Sequence, residues 1–346
     1  MRLIVISPYP LKSGIVSAYL KGYAEQYRER GFEVVLEKMY FWEGKLRYSL
    51  KWLALLRYLV AKDTRILLAQ HTPPASGPLA VPFLLLARAL GKGAVVVAHE
   101  TPDTYAKHLP PALRPLYHAY EAALVRLARH YVVHTRLHQE ALQAFTKVPV
   151  QVVPHPVPKV ERREATPGSP KVWGFYGMVA KKKGVDLLLK AYCSLPAGSV
   201  PYLRIMGAAA PGEEAHLEGL KASVPASHRH LVAFTGYVKE EDKPRLFSDV
   251  SLMVFPYRWI SQSGALAETC MFRIPYLASD VAYFKDFHAT FDCGRLFKSE
   301  DVASLAEALA ALAKVPLVPP ESSFADMERR LAFKTCADRM EELLRD

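Results

Sequence analysis

The segment from Phe255 to Asp280 carries residues well suited to chemistry. An apolar run ends at Phe255, a polar loop follows, Ser263 and Gly264 open a predicted helix, and Glu268 lies about one helical turn further on. Free backbone N–H groups at a helix start attract an anion, and a glycine there lets the anion approach closely. A carboxylate one turn away can accept hydrogen bonds from hydroxyl groups. The pattern therefore predicts a site for a phosphate beside a polyol, as in a nucleotide sugar.

Three further residues are candidates for such a site. Lys183 precedes Gly184 where a predicted strand turns into a helix, and its ammonium group would neutralise a diphosphate; a solvated basic loop is the alternative. Gly14 follows the first predicted strand and could admit a phosphate or a sugar. His99 ends another predicted strand, where a neutral imidazole could hydrogen-bond a sugar or a phosphate, or could be purely structural.

Several other kinds of site are disfavoured. No G-x-G-x-x-G pattern follows the first strand, which argues against a nicotinamide or flavin enzyme. The four cysteines are widely separated, without a C-x-x-C pair or a histidine at ligand spacing, which argues against a zinc site or a disulfide framework. We expect no metal and no cofactor. His134 and His155 are predicted to be structural residues near the site.

Short apolar strands alternate with helical patterns through the first 155 residues. The predicted strands are Leu3–Ile6, Val34–Leu36, Ile66–Leu68, Ala94–Ala98 and Tyr131–Val133. Helices are predicted from about Gly14 and over Leu46–Leu59, Leu79–Leu90 and Leu113–Ala128. This alternation predicts an α/β domain with a doubly wound parallel sheet.

A proline-rich, polar stretch over residues 156–171 predicts a linker, after which the alternation restarts. The predicted strands of this second domain are Val172–Tyr176, Leu203–Met206, Leu231–Thr235, Leu252–Phe255 and Pro275–Ala278. A helical apolar pattern over Met327–Leu344 ends the chain.

Taken together, these residues resemble the motifs of the retaining glycosyltransferases of family 4, the group 1 glycosyltransferases. In the donor segment the matching residues are Pro256, Ser263–Gly264, Glu268, Arg273–Pro275 and Ser279–Asp280. Elsewhere they are Ser13–Gly14, His99–Glu100, Val153–His155, Gly177, Lys183–Gly184 and Gly236.

The resemblance implies the α/β GT-B fold, in which two Rossmann-like, doubly wound parallel-sheet domains face each other across a cleft. The implied boundaries are 1–155 for an N-terminal acceptor domain, 156–171 for the linker, and 172–323 for a C-terminal donor domain that binds the nucleotide sugar. Residues 324–346 would form a helix that crosses back to the first domain.

The resemblance also implies a hexosyltransferase that takes a sugar from a nucleoside-diphosphate sugar with retention, without a metal. The implied catalytic residues are His99, Lys183 and Glu268. Glu268 would hold the ribose hydroxyls, and the backbone near Val238 would meet the base. The implied donor-binding residues are Gly14, Lys183, Val238, Ser261, Gln262, Ser263, Gly264, Ala265 and Glu268.

Two positions depart from the family pattern. Ile260 stands where the family usually has the first glutamate of an E-x7-E pair, and Met178 stands where an arginine is common. If transfer occurs, Ser261, Gln262 or the backbone must make the contacts of the missing glutamate. A nucleotide-sugar binding protein that has lost transfer is therefore an alternative, and a sugar-nucleotide epimerase on the same fold is another.

The charge of the chain is unevenly distributed. Residues 1–160 contain 21 of the 45 lysines and arginines but 10 of the 34 aspartates and glutamates, so the whole net charge of +11 lies there. Such a one-sided field predicts an anionic partner, which could be membrane phospholipid, a phosphorylated acceptor or nucleic acid. Nucleic acid is disfavoured because the basic clusters show no RNA-binding motif.

The segment Tyr40–Leu59 is basic, aromatic and helical in period, so it could lie on an anionic bilayer. A core helix with a basic outer face is the alternative, and both can hold. The residues predicted to contact an acceptor or a membrane are Trp42, Lys45, Arg47 and Lys51.

The sequence shows no signal peptide and no transmembrane run, so we expect a cytoplasmic protein that contacts the inner face of the membrane peripherally. The chain has no asparagine, which fits a thermophilic source or codon bias.

Overall fold

The computed structural model describes residues 2–7, 15–38, 40–42, 46–48, 55–70, 80–99, 109–144, 146–164 and 171–346. The chain divides into two compact units. Unit 1 is formed by Met1–Pro158 together with Arg330–Asp346, and unit 2 is formed by Lys159–Arg329.

Unit 1 contains a six-stranded sheet and a separate two-stranded hairpin. The strands are β1 (Arg2–Ser7), β2 (Glu33–Lys38), β3 (Tyr40–Trp42), β4 (Leu46–Tyr48), β5 (Thr64–Gln70), β6 (Ala94–Ala98), β7 (His130–Val133) and β8 (Val150–Val152). The sheet order is β2-β1-β5-β6-β7-β8, and every neighbouring pair is parallel. Because side chains alternate along a strand, Leu3 and Val5 enter one core and Ile4 enters the other.

The first five α-helices among the described residues belong to unit 1. They are α1 (Ile15–Glu29), α2 (Leu56–Leu59), α3 (Ala80–Ala89), α4 (Arg114–Leu127) and α5 (Arg136–Gln143). Buried residues of α2, α3 and α4 fill the core on one face of the sheet, and buried tyrosines of α1 fill the core on the other face. Both faces are thereby covered, as a parallel sheet requires.

Unit 2 contains the second six-stranded parallel sheet. Its strands are β9 (Val172–Tyr176), β10 (Tyr202–Met206), β11 (Val232–Gly236), β12 (Val250–Phe255), β13 (Tyr276–Ser279) and β14 (Gly294–Phe297), in the order β11-β10-β9-β12-β13-β14. The helices are α6 (Val185–Cys193), α7 (Glu214–Ser223), α8 (Lys243–Phe247), α9 (Gly264–Met271), α10 (Ala282–Thr290), α11 (Val302–Lys314) and α12 (Glu321–Leu331).

The last helix, α13 (Phe333–Arg345), belongs to unit 1 and packs against α1. A Cβ atom at Gly22 of α1 would overlap the ring of Phe333, so the glycine permits close contact between the two helices. Arg30 adds ion pairs to Asp338 at 2.7 Å and Glu341 at 2.9 Å.

Two secondary-structure predictions were wrong. The helix expected over Leu46–Leu59 is replaced at its start by β4, which pairs antiparallel with β3 and brings Trp42 opposite Leu46. Residue types with aromatic side chains favour strands, and this preference overrides the helical period of the segment. The single helical stretch expected over Met327–Leu344 is two helices, since Ala332 between them has an extended backbone.

Candidate functional site

The candidate site in unit 2 lies at the carboxyl ends of its parallel strands. The chain steps from β9 to β10 and β11 in one direction, then returns to β12, β13 and β14 on the other side of β9. Open α/β sheets bind ligands at such a switch point. Lys183 follows β9, and the segment Ser261–Glu268 follows β12, so the two predicted clusters follow the two strands that flank the switch point.

Glu268 lies in α9, which begins with a capped turn. The hydroxyl of Ser263 accepts a hydrogen bond from the backbone N–H of Leu266 at 3.3 Å, as an N-cap residue does. Glu268 Oε1 accepts from Lys243 Nζ at 2.6 Å, and Tyr176 OH donates to Oε2 at 3.1 Å. The carboxylate is therefore fixed in position by two groups that the sequence pattern did not single out.

Lys243 is nearly completely buried, with 5% of its side chain exposed, and it also pairs with Glu240 at 2.6 Å. Burial alone would lower the pKa of Lys243, but Glu268 and then Glu240 more than offset this, and the pKa is raised. Lys243 thus remains positively charged. Burial raises the pKa of Glu268 and Lys243 opposes that rise, so the lysine helps to keep the carboxyl group ionised.

The turn that carries Lys183 is attached to the loop after β12. Gly184 has a φ of 66°, and a Cβ atom there would overlap the carbonyl of Pro256. The backbone N–H of Arg258 donates to Lys182 O at 2.9 Å, and its guanidinium makes two bonds to Asp186 at 2.7 and 2.8 Å. These contacts fix the turn at the switch point.

Lys183 itself lies over an aromatic ring. Its Nζ is 3.7 Å from the centroid of the Tyr257 ring, a cation–π contact. Burial and then the neighbouring charge of Lys182 lower the pKa of Lys183 to about 7. Lys181 and Lys182 are exposed, whereas Lys183 is only partly accessible.

The loop before α9 offers hydrogen-bonding groups as well. Ile260, Ser261 and Gln262 are half-buried, and Gln262 Oε1 is buried without a hydrogen-bond partner among the described residues. A buried polar atom of this kind is costly unless a ligand satisfies it. The backbone N–H groups of Gly264 and Ala265 lie at the positive end of α9.

The loop after β11 carries Val238, near which the backbone was predicted to meet the base. Gly236 has a φ of 70°, Tyr237 is exposed, and the side chain of Val238 is buried. Met178, at the position where the family often has an arginine, is exposed.

Three histidines form a cluster in unit 1. His134 Nδ1 bonds the carbonyl oxygen of Val153 at 2.8 Å, and His134 Nε2 lies 3.0 Å from His99 Nδ1. The ring of Tyr19 contacts the rings of His99, His134 and His155, with centroids 4.8 to 5.6 Å apart. The structure thus brings His99 and the two histidines predicted as structural into direct contact.

The contacts of His134 fix the tautomers of the neutral pair. A carbonyl oxygen only accepts, so His134 Nδ1 must carry the proton, which leaves Nε2 as an acceptor. His99 must then donate from Nδ1 to His134 Nε2. This hydrogen bond helps to fix the orientation of the His99 ring.

Several predicted residues cannot be placed. Gly14, Lys45 and Lys51 lie outside the described residues, as does Glu100. Trp42 lies in β3 and Arg47 lies in β4, and the structure describes only the backbone of these two residues.

None of the described helices is both long and apolar enough to span a bilayer. Within the same residues, no group of three or more His, Cys, Asp or Glu side chains is arranged to hold a metal ion.

Comparison with known families gives one match. Residues 170–314, which lie within unit 2 and include both predicted clusters, match the family model described as Glycosyl transferases group 1. This segment is a group 1 glycosyltransferase domain. The prediction of a glycosyltransferase is thereby confirmed, whereas no curated protein matches the chain.

Solved structures with the same fold cover nearly the whole chain. Sucrose-phosphate synthase from Thermosynechococcus elongatus superposes with a TM-score of 0.74 at 15% identity, covering 99% of this chain and 98% of that one. Anabaena HepE in complex with UDP and glucose gives 0.69 at 14% identity, covering 100% and 99%. The lipopolysaccharide outer core galactosyltransferase WaaB gives 0.69 at 12% identity, covering 99% of each chain. The predicted α/β GT-B fold of the glycosyltransferase is confirmed.

Proposed function

We propose that the glycosyltransferase binds a nucleoside-diphosphate sugar at the carboxyl ends of β9 and β12. The observation that carries this proposal is the partly buried Glu268 carboxylate, held by Lys243 and Tyr176 one turn into a capped helix. The geometry suits a ligand that presents hydroxyl groups near a phosphate. The complexes of HepE with UDP and with UDP-glucose support uridine diphosphate sugars as the first donors to try.

Each part of the donor has a proposed partner. The diphosphate binds Lys183 and the N–H groups of Gly264 and Ala265, which stabilise the negative charge that develops as the sugar leaves. Glu268 accepts hydrogen bonds from the ribose hydroxyls, and the backbone near Val238 meets the base. This arrangement needs no metal ion for the diphosphate.

One group of unit 2 is proposed to hold the transferred sugar. Gln262 Oε1, which is buried without a partner among the described residues, accepts a sugar hydroxyl and replaces the glutamate that is absent at Ile260. The predicted role of His99, in unit 1, stays a prediction.

We further propose that transfer retains the anomeric configuration and that the acceptor is anionic or lipid-linked. The donor-segment motifs and the group 1 match support retention. The excess of positive charge over residues 1–160 supports an anionic acceptor, because opposite charges attract at long range.

The donor site is tested by titrating variants with UDP-glucose in a calorimeter and by measuring UDP release. We expect Glu268→Ala and Lys243→Met each to lower donor affinity about tenfold or more, since hydrogen bonds to charged groups are lost. Lys243→Met should also raise the pKa of Glu268, so its donor affinity should fall more steeply below pH 6 than that of the wild type.

Glu240→Gln is the matched control, because Glu240 also pairs with Lys243 but its side chain is 84% exposed. It should bind the donor nearly normally. Wild-type affinity in both Glu268→Ala and Lys243→Met would contradict the assignment of the site.

A second candidate is a nucleotide-sugar binding protein without transfer, which the apolar Ile260 favours. It predicts UDP-glucose binding without UDP release for any acceptor offered. An epimerase would instead convert the nucleotide sugar to its epimer without an acceptor, which NMR of the mixture would detect.

A further inference from the structure

Leucines project into solvent from the layer of helices on one face of unit 1. Leu85 and Leu86 of α3, Leu90 after it, and Leu113 and Leu116 at the start of α4 are between 41 and 71% exposed. Val60, after α2, is 73% exposed. Soluble proteins expose single leucines routinely, but a group on adjacent helices indicates a contact surface.

These residues share one surface because their helices cover the same face of the sheet. Phe83 and Leu84 of α3 enter the same buried core as Leu124 of α4, so the exposed sides of both helices face away from it. The two helices lie side by side, and Arg88 Nη1 of α3 donates to Arg126 O of α4 at 2.9 Å.

A hydrogen bond also connects the loops that follow α2 and α3. Lys92 Nζ, after α3, donates to Lys62 O, after α2, at 2.9 Å. The exposed residues Val60 and Leu90 near these two loops therefore extend the surface.

Basic side chains lie among the leucines. Exposed arginines and lysines of the same elements are Arg57, Lys62, Arg88, Arg114 and Arg126. Over residues 55–70, 80–99 and 109–129, the acidic side chains are Asp63, which is exposed, and Glu121, which is buried. The surface thus combines exposed apolar groups with a strongly positive field.

That combination decides between two possible occupants. A second copy of the chain, docked face to face, would place arginines against arginines with little acidic charge to compensate. An anionic bilayer offers phosphate groups to the arginines and an acyl region to the leucines. We propose that the outer surface of α2, α3 and α4, called here the leucine–arginine surface, docks on anionic lipid.

This surface shares only α2 with the segment Tyr40–Leu59 in which membrane contact was predicted, and it includes none of the four residues predicted to make that contact. It depends on no step of sugar transfer. It is formed by helices whose inner sides are packed in the core, so it is a rigid platform. Binding would orient unit 1 on the membrane without insertion of a helix.

Co-sedimentation of the purified protein tests the proposal, with vesicles of phosphatidylcholine alone or with 30% phosphatidylglycerol. We expect binding only to the anionic vesicles, weakening as salt screens the arginines. Leu85→Ser/Leu86→Ser should lower the partition coefficient about tenfold, because both side chains lose their place in the acyl boundary. Lys62→Gln/Arg126→Gln should lower it about 25-fold, since each charge contributes about fivefold.

The matched control is Val315→Ser/Val318→Ser in unit 2, which removes two valines that are 72 and 84% exposed. It should bind vesicles like the wild type. Leu116→Ser gives an independent variant on α4 in case the double leucine variant does not fold, as judged by its melting temperature.

Three outcomes would overturn the proposal. The wild type could fail to bind anionic vesicles at low salt. The leucine and charge variants could bind as well as the wild type. Finally, light scattering could show a wild-type dimer that the leucine substitutions dissociate, in which case the surface would be a contact between two copies of the chain.

Discussion

At the residue scale, Lys183 shows how the fold adjusts a single charge. Its ammonium group lies 3.7 Å from the Tyr257 ring centroid, in a partly buried position that lowers its pKa to about 7. Near neutral pH the free protein therefore holds a mixture of the charged and neutral forms. A bound diphosphate favours the charged form, so donor binding should take up protons.

The first prediction concerns pH. The charged form of Lys183 is lost as pH rises through about 7, so affinity for UDP-glucose should fall about tenfold or more between pH 6 and pH 9. UDP-glucose suits the titration because its diphosphate does not ionise in this range. Calorimetry in buffers of different ionisation enthalpy should show proton uptake near pH 8.

The same lysine should reduce the stability of the free protein. Its pKa is lower in the folded state than in the unfolded state, so the unfolded chain binds more protons between pH 7 and pH 10. Lys183→Met should consequently raise the melting temperature at pH 7 while it weakens donor binding. Lys182→Met, on the exposed neighbour, should have a much smaller effect on both, because the charge of Lys182 is the lesser cause of the lowered pKa of Lys183. A flat pH profile in the wild type would contradict the role of Lys183.

At the element scale, the turn before α6 is shaped by Gly184. Its positive φ and its contact with the carbonyl of Pro256 exclude a side chain at this position. The contact holds the loop after β9 against the loop after β12, and thereby places Lys183 over Tyr257.

A pair of glycine substitutions separates the effect of the positive φ from the effect of the contact with Pro256. Gly184→Ala should cost about 2–4 kcal/mol of unfolding free energy and weaken donor binding, because the new methyl group displaces the loop after β12. Gly212 also has a positive φ, of 81°, but a Cβ atom there would have no neighbour within 4 Å. Gly212→Ala should thus cost only about 1 kcal/mol and leave binding intact. Equal losses in urea unfolding would show that backbone strain alone matters at Gly184.

Local patterns allowed five of the six described strands of unit 2, and the places of Lys183 and Glu268 after two of them, to be predicted, whereas β14 was missed. Each depends on a strand, a turn and a helix start that are adjacent in the sequence. Lys243 and Tyr176 could not be found in this way, because they are 25 and 92 residues from Glu268 and meet it only in the folded sheet. The β3–β4 hairpin was missed for a related reason, since strand pairing is a contact between segments that helical periodicity does not register.

At the scale of the whole molecule, unit 1 and unit 2 should unfold in two transitions. Met340 of α13 and Met253 of β12 are both completely buried, the first in unit 1 and the second in unit 2. Met340→Ala should destabilise only unit 1, and Met253→Ala only unit 2, each by about 2–5 kcal/mol. Differential scanning calorimetry with UDP-glucose distinguishes the two transitions, because the bound donor should raise the melting temperature of unit 2. A single transition that both substitutions shift equally would show that the units unfold together.

The packing of α13 against α1 has a consequence for synthesis on the ribosome. Unit 2 is one continuous segment, so its sheet can form as soon as Arg329 has left the exit tunnel. Unit 1 begins to emerge first, yet Cys336, Ala337, Met340 and Leu344 of its core emerge last. The half of the molecule that is made first is therefore completed last, and its nascent sheet must remain partly uncovered while about 170 residues of unit 2 are translated.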